Sequence, residues 1–450
     1  MSGPVAMIQQ RDLDVVVFGA TGVTGRRVAA YLDDRASQTG ARWAAAGRDP
    51  VRLRRVLAQE GVHEPETLVA DLADPGSLVA MASRAKVVLN LVGPYSLYGR
   101  PVIEACVDSG AHYADLTGEI PFMRQVVDEV DERARDAGVK LVQACGFEAL
   151  PPDLAVALAA ETARSRWHEP LADVDLELSY TLPPGMPRPS DLISGGTFQS
   201  MAAVAAGEED AASLTDPAAL VTDPVLASEV RRRSPIRVRP RRGTQGAVVA
   251  PMVPAAFINP AVIQRTAALS VDVRDEWVEP FAYREGVALT GPVATLPLRV
   301  AAAGALSGMQ VGIGQTSRAA PAVRRRIGGV LGALLPGSGY GPAADRLEGW
   351  RWQLAVHART TGGAGVLVRV EAEGHPGYLA TARMLGEAGL MLAETGTTPD
   401  RSGCLTPATA LGTRSVDRFA HARLRFAVVD DTGRDDTGRD DPGAMGKVRP

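Results

Sequence analysis

The chain has 450 residues, 46% hydrophobic and 22% charged, with a formal net charge of −4. That length is enough for two or three domains and a sizeable core in an ordinary soluble globular protein. The slight acid excess supplies no global basic field for nucleic acid, so any cationic patch is local.

Residues 14–25, Asp-Val-Val-Val-Phe-Gly-Ala-Thr-Gly-Val-Thr-Gly, run from a short apolar strand into three glycines, with a helical stretch behind them. This pattern predicts a dinucleotide-binding turn. Gly19 permits the strand-to-helix reversal, Gly22 lets the backbone approach a pyrophosphate, and Gly25 lets the helix pack on the sheet. Thr21, Val23 and Thr24 complete the candidate cofactor cradle. The next strand, Trp43 to Ala46, leads through Gly47 to Arg48, where an NAD-binding protein usually places a carboxylate. A guanidinium there pairs with a 2′-phosphate, so Arg48 points to NADPH, although Asp49 beside it is also within reach of a ribose.

Further apolar runs, Leu68–Ala70, Val87–Leu91, His112–Asp115 and Leu141–Ala144, alternate with amphipathic stretches. Six strands of this kind predict an α/β fold with one doubly wound parallel sheet over residues 12–150, its ligands lying beyond the C-terminal strand ends. Asp71 follows the third strand, as a partner for the adenine amino group or a cap for the helix after it. Asn90 and Gly93 end the fourth strand beside the expected nicotinamide ribose. Tyr95 and Tyr98 follow as candidate catalytic proton donors, with aromatic packing as the alternative. Glu119 and Glu148 lie after the fifth and sixth strands, each an acid, a base or a hinge ion pair.

After Pro151 and Pro152 the pattern changes. Val174–Leu182, Trp350–Val356 and Val366–Val370 alternate with a period of two, which predicts a second, mixed-sheet α/β domain over residues 151–376. Within it, Ser194-Gly-Gly-Thr197 reads as a glycine-rich loop in which Gly195, Gly196 and Thr197 hold a substrate carbonyl or anion, or cap a helix. Arg231 to Arg242 carries seven arginines in twelve residues and reads as an exposed loop, either simply solvated or docking an acidic partner. Val287 to Ile313 reads as a buried helix or loop near a ligand tunnel, with interfacial lipid contact as the alternative. Residues 377–428 hold a helix near Gly377–Glu394 and a second one capped by Thr406 with Pro407 at its first position. Residues 429–450, which repeat Asp-Asp-Thr-Gly-Arg, read as a disordered tail.

The cysteines Cys106, Cys145 and Cys404 and the six histidines show no ligand spacing, so no metal is expected. The N-terminus lacks the features of a secretory leader, and no membrane span is expected, which makes the expected location cytoplasmic.

Several motifs together resemble the saccharopine dehydrogenase-like oxidoreductases, in particular their trans-acting enoyl reductase branch. They are Gly19-Ala-Thr-Gly-Val-Thr-Gly25, Ala46-Gly-Arg48, Leu91-Val-Gly-Pro-Tyr95, Tyr113-Ala-Asp-Leu-Thr-Gly-Glu119, Cys145-Gly-Phe-Glu-Ala-Leu-Pro-Pro-Asp153, Ser194-Gly-Gly-Thr197 and Leu405-Thr-Pro-Ala-Thr-Ala-Leu-Gly412. The resemblance implies a Rossmann domain, a substrate domain that often carries a homodimer contact, and C-terminal helices returning to the first domain. It also implies reduction of a carbon–carbon double bond in an acyl thioester, on a carrier protein or polyketide synthase. Other relatives work on carbon–nitrogen bonds, and a cofactor-holding protein at a lipid surface is a third reading. Where the family commonly has Gly-Phe-Asp-Ser-x-Pro-Ser-Asp, this chain has Glu148, Ala149 and Pro152, so no serine role carries over.

Overall fold

The computed structural model describes residues 11–62, 64–185, 211–272, 280–334 and 346–429. The N-terminal part alternates β1 (Leu13–Phe18), α1 (Gly25–Thr39), β2 (Trp43–Gly47), α2 (Pro50–Ala58), β3 (Glu66–Val69), α3 (Pro75–Arg84), β4 (Ala85–Asn90), α4 (Tyr95–Ser109), β5 (His112–Asp115), α5 (Ile120–Asp136) and β6 (Lys140–Val142). Strands β1 and β4 are buried along almost their whole length because helices cover both faces of the sheet, which explains their unbroken apolar sequences. Asp49 and Asp74 cap α2 and α3, each followed by a proline in the first turn. The cap of α3 is therefore Asp74, not Asp71.

Helix α6 (Leu150–Trp167) leads to β7 (Leu171–Thr181), α7 (Pro224–Arg233), β8 (Arg241–Arg242), β9 (Val248–Ala250), α8 (Asn259–Asp272), β10 (Ala282–Leu289), α9 (Leu296–Ser317), α10 (Pro321–Leu334), β11 (Arg351–Thr360) and β12 (Gly365–Glu373). A π turn at Pro376–Ala380 enters α11 (Thr381–Ala393), and β13 (Gly403–Leu405), α12 (Pro407–Leu411) and β14 (Leu424–Val429) close the described chain. The first sheet has the order β13-β6-β5-β4-β1-β2-β3, all parallel; the second is β14-β12-β11-β7-β10-β9-β8, with β7 and β10 its parallel pair. The fold is thus a doubly wound parallel sheet joined to a mixed sheet. One apolar core runs from a face of the first sheet through α6 and α11 into the second, and a separate core fills the other face of the first sheet.

Two expectations need correction. The arginine-rich stretch is not a continuous loop: Arg231, Arg232 and Arg233 form the last turn of α7, and Arg241 and Arg242 form β8. Basic residues in a last turn suit the helix dipole, and Asp216 and Glu229 neutralise them locally. The apolar stretch from Val287 is not buried: within it α9 is a surface helix with Leu298 72% exposed. The predicted cap at Thr406 is present as a capping box with Thr409.

Glu285 lies inside the second sheet, where its Oε2 accepts the Asn259 amide (2.7 Å) and the Tyr283 hydroxyl (2.7 Å). Burial raises its carboxyl from the usual 4.5 to about 7. The folded chain therefore holds a proton there that the unfolded chain has released. Stability linked to this group is fully present below the unfolded pKa and is lost as pH rises through the folded one. Urea unfolding across that window is expected to show a shallower loss of stability in Glu285→Gln, and parallel pH profiles for the two proteins would refute the assignment.

Candidate active site

The crevice starts where β1 ends. Gly19 has φ +90°, and a side chain there would also strike Val92 and the Leu91 backbone. Gly25 packs against Gly19 and Ala20 too closely for any Cβ. Gly22 is different: it is exposed, and an added Cβ would meet only the Gly19 carbonyl, at 3.4 Å. Gly93, in the adjoining β4–α4 loop, is equally exposed, and its Cβ would make ordinary contact with Tyr95 at 3.5 Å. Neither glycine is required by the protein's own packing, so the space above them is what a side chain would fill. The amides of Thr21, Val23 and Thr24 take no backbone acceptor among the described residues. This arrangement at the start of α1 fits a pyrophosphate.

Arg48 is exposed at the end of β2 and makes no ion pair among the described residues. Asp49 caps α2, its Oδ1 accepting the amides of Val51 and Arg52, both at 3.0 Å. The carboxylate expected to weaken the NADPH reading thus has one oxygen engaged as a helix cap, and those bonds hold it below the usual carboxylate range. Asp71 uses Oδ1 to accept the Ala73 amide (3.0 Å).

Asn90 is fully buried; its amide donates to the Tyr113 hydroxyl (3.1 Å), and its Oδ1 accepts the Val92 amide (3.0 Å). Tyr113 donates to Asp115 (2.8 Å), whose carboxyl burial pushes up to about 7. Asn90 therefore shapes the loop that carries Gly93. Tyr95 is 7% exposed; its hydroxyl donates to the Asn90 carbonyl (3.2 Å) and accepts the Leu116 amide (3.3 Å), so its proton is engaged inside the fold. Tyr98, 42% exposed one turn along α4, is the more accessible phenol. Glu119 is buried, and its carboxylate accepts the amides of Tyr95 (2.9 Å) and Ser96 (2.8 Å), capping α4.

Glu148 behaves differently. It is half-buried beyond β6, takes no hydrogen bond from another side chain among the described residues, and burial raises its carboxyl pKa. Its charge acts on both Tyr95 and Tyr180. Beside it Phe147 meets Trp352 edge-on at 4.9 Å and Tyr180 at 6.4 Å, and Tyr180 meets Trp350 at 6.3 Å. The buried Trp352 Nε1–H has no acceptor among the described residues. A carboxyl with a raised pKa against an aromatic wall at the mouth of a Rossmann crevice has the character of an acid catalyst. The sequence did not reveal the wall. Tyr180 and Trp352 come together because β7 and β11 pair them in register, and alternation alone does not specify strand partners. Gly195, Gly196 and Thr197 lie outside the described residues. No group of acids, histidines and cysteines suited to a metal occurs among the described residues.

Residues 15–142 match the family described as the saccharopine dehydrogenase NADP binding domain. Over 431 residues the chain is 34% identical to a Mycobacterium tuberculosis protein provisionally named a trans-acting enoyl reductase, covering 92% of this chain and 96% of that one. It is 33% identical over 421 residues to the trans-acting enoyl reductase of Mycobacterium ulcerans, covering 90% and 94%. Among solved structures, apo saccharopine dehydrogenase (L-Glu forming) from Saccharomyces cerevisiae aligns with a TM-score of 0.48 and 13% identity, over 92% of this chain and 99% of that one. With the NADP-binding domain at residues 15–142 and one-third identity maintained over nine-tenths of the chain, this protein belongs to the saccharopine dehydrogenase-like oxidoreductases, in their trans-acting enoyl reductase branch.

Proposed function

We propose that the chain is an NADPH-dependent reductase of α,β-unsaturated acyl thioesters. The observation that carries this reading is Glu148, a carboxyl whose pKa burial raises and which no other side chain engages among the described residues, on the crevice that begins at the glycine turn. The turn from Gly19 to Gly25 and the loop at Gly93 hold the cofactor backbone, and Arg48 grips the 2′-phosphate. Bound NADPH supplies the hydride that the β-carbon accepts. Glu148 gives its carboxyl proton to the α-carbon, so a hydride and a proton add across the double bond. Phe147, Tyr180 and Trp350 exclude water from the reacting atoms. Tyr98 is the alternative proton source.

Imine reduction needs cations that grip substrate carboxylates in the crevice, and the arginine segment does not supply them. Arg231, Arg232 and Arg241 are paired with Asp216, Glu229 and Asp175. Arg237 lines a cavity of about 260 Å³ with Arg233, Arg284, Arg359 and Asp173. Asp173 and Tyr180 are seven residues apart on β7, so at ~3.3 Å per residue this cavity is about 23 Å from the aromatic wall. That separation suits an acidic carrier protein docking at Arg237 and Arg239 while its thioester is presented on a long arm.

Titration with NADPH and NADH, followed by enoyl thioester turnover, tests the reading. Wild type is expected to prefer NADPH, and Arg48→Ala to lose that preference by on the order of 10- to 100-fold. Arg237→Glu with Arg239→Glu is expected to slow turnover of a carrier-bound thioester while sparing a small free one. Equal effects on both substrates would remove the docking site, and strict inactivity over a range of chain lengths would remove the enoyl reductase.

A further inference from the structure

Helix α9 is built inside out. The residues it turns towards the protein include Arg299, Gln310 and Ser317, whereas Leu298, Val300, Met309 and Val311 are 45–72% exposed. A surface helix in water places its side chains the other way round. The inward face is fixed to the second domain: Arg299 donates to the Leu289 carbonyl (3.0 Å) and Ser307 to the Val238 carbonyl (2.6 Å), while Gly314 packs against Phe257. The 22 residues of α9 extend about 33 Å, long enough to cross a bilayer, but a helix attached along one side to its own domain lies on a surface instead.

Charge decides what that surface is. From Gly286 to Ala344 the sequence has no aspartate or glutamate and five arginines, Arg299, Arg318, Arg324, Arg325 and Arg326, in a chain with a net charge of −4. Arg318 and Arg326 are exposed where α9 passes into α10, and Val323 and Val330 of α10 are also exposed, at 49% and 51%. A second copy docked through this same segment would bring its arginines to the interface with no acid from the segment to neutralise them. An anionic lipid surface accommodates both the apolar face and the arginines.

We propose that α9 and the first turns of α10 form an interfacial anchor that lies in the headgroup region of an anionic bilayer, with Leu298 and Met309, which share one side of the helix, directed at the acyl chains. The anchor does not depend on the reaction proposed above.

Co-sedimentation of the full chain with vesicles of phosphatidylcholine, with and without phosphatidylglycerol, tests it, and light scattering reports the oligomeric state. Wild type is expected to sediment with the anionic vesicles and only weakly with the neutral ones. Leu298→Asp with Met309→Asp is expected to abolish binding, and Arg318→Glu with Arg326→Glu to weaken it about 10- to 30-fold. All four positions are exposed, so melting temperatures are expected to match wild type; Leu298→Gln with Met309→Gln serves if the aspartates impair folding. Absence of wild-type binding to anionic vesicles would overturn the proposal, as would binding that survives both apolar substitutions. A dimer dissolved by those substitutions, without vesicle binding, would assign the face to a second copy instead.

Discussion

Replacing Glu148 by glutamine is expected to lower kcat for an enoyl thioester by about 100- to 10,000-fold, the range in which a positioned general acid contributes. Glutamine keeps the size and the hydrogen-bonding reach of the side chain and removes the transferable proton. Affinity for NADPH is expected to stay within about threefold of wild type, because the proposed cofactor cradle is on the β1 and β4 loops and Glu148 lies beyond β6. A pH profile separates this role from a structural one. Wild-type kcat is expected to fall as pH rises through the raised carboxyl pKa, and the variant is expected to lose that limb. If Tyr98→Phe removes the activity and Glu148→Gln spares it, the phenol is the donor and the carboxyl is not.

The largest effect on stability is expected at Glu387. This carboxylate on α11 is completely buried and accepts the Tyr31 hydroxyl (2.6 Å), Arg35 Nε (3.2 Å) and Arg418 Nε (3.1 Å). Glu387→Ala leaves the buried Arg35 guanidinium without its counter-charge and unfastens α11 from α1. Breaking a buried pair from one side costs about 3–5 kcal/mol, whereas exposed pairs such as Arg124–Asp128 contribute about 1 kcal/mol or less. Urea unfolding of Glu387→Ala beside Asp128→Ala tests the contrast. A loss below about 1 kcal/mol at Glu387 would mean that apolar packing of α11 on β4, with Gly389 against Leu89, holds the helix unaided.

Local chemistry was what the sequence made legible. The strand-to-helix glycine turn and the Thr406 cap each depend on residues within a few positions of one another, so their physics is written in short stretches. Features built from distant segments were not legible. Strand β13 joins the first sheet through three residues paired with Lys140–Val142, more than 260 positions earlier, and nothing local distinguishes it from a loop. The aromatic wall draws Phe147, Tyr180 and Trp352 from three segments. Composition showed that the segment from Val287 is apolar, but not which side of α9 faces the protein. That side is selected by Arg299 and Ser307, which find carbonyl acceptors in the second domain.

Between Ala393 and Val429 the chain gives its penultimate strand to the first sheet and its last described strand to the second. During synthesis, therefore, neither sheet can be completed until the C-terminal residues have left the ribosome. Both edges wait on contacts of high sequence separation, so the closing step of folding is slow relative to local helix formation and is shared by both domains.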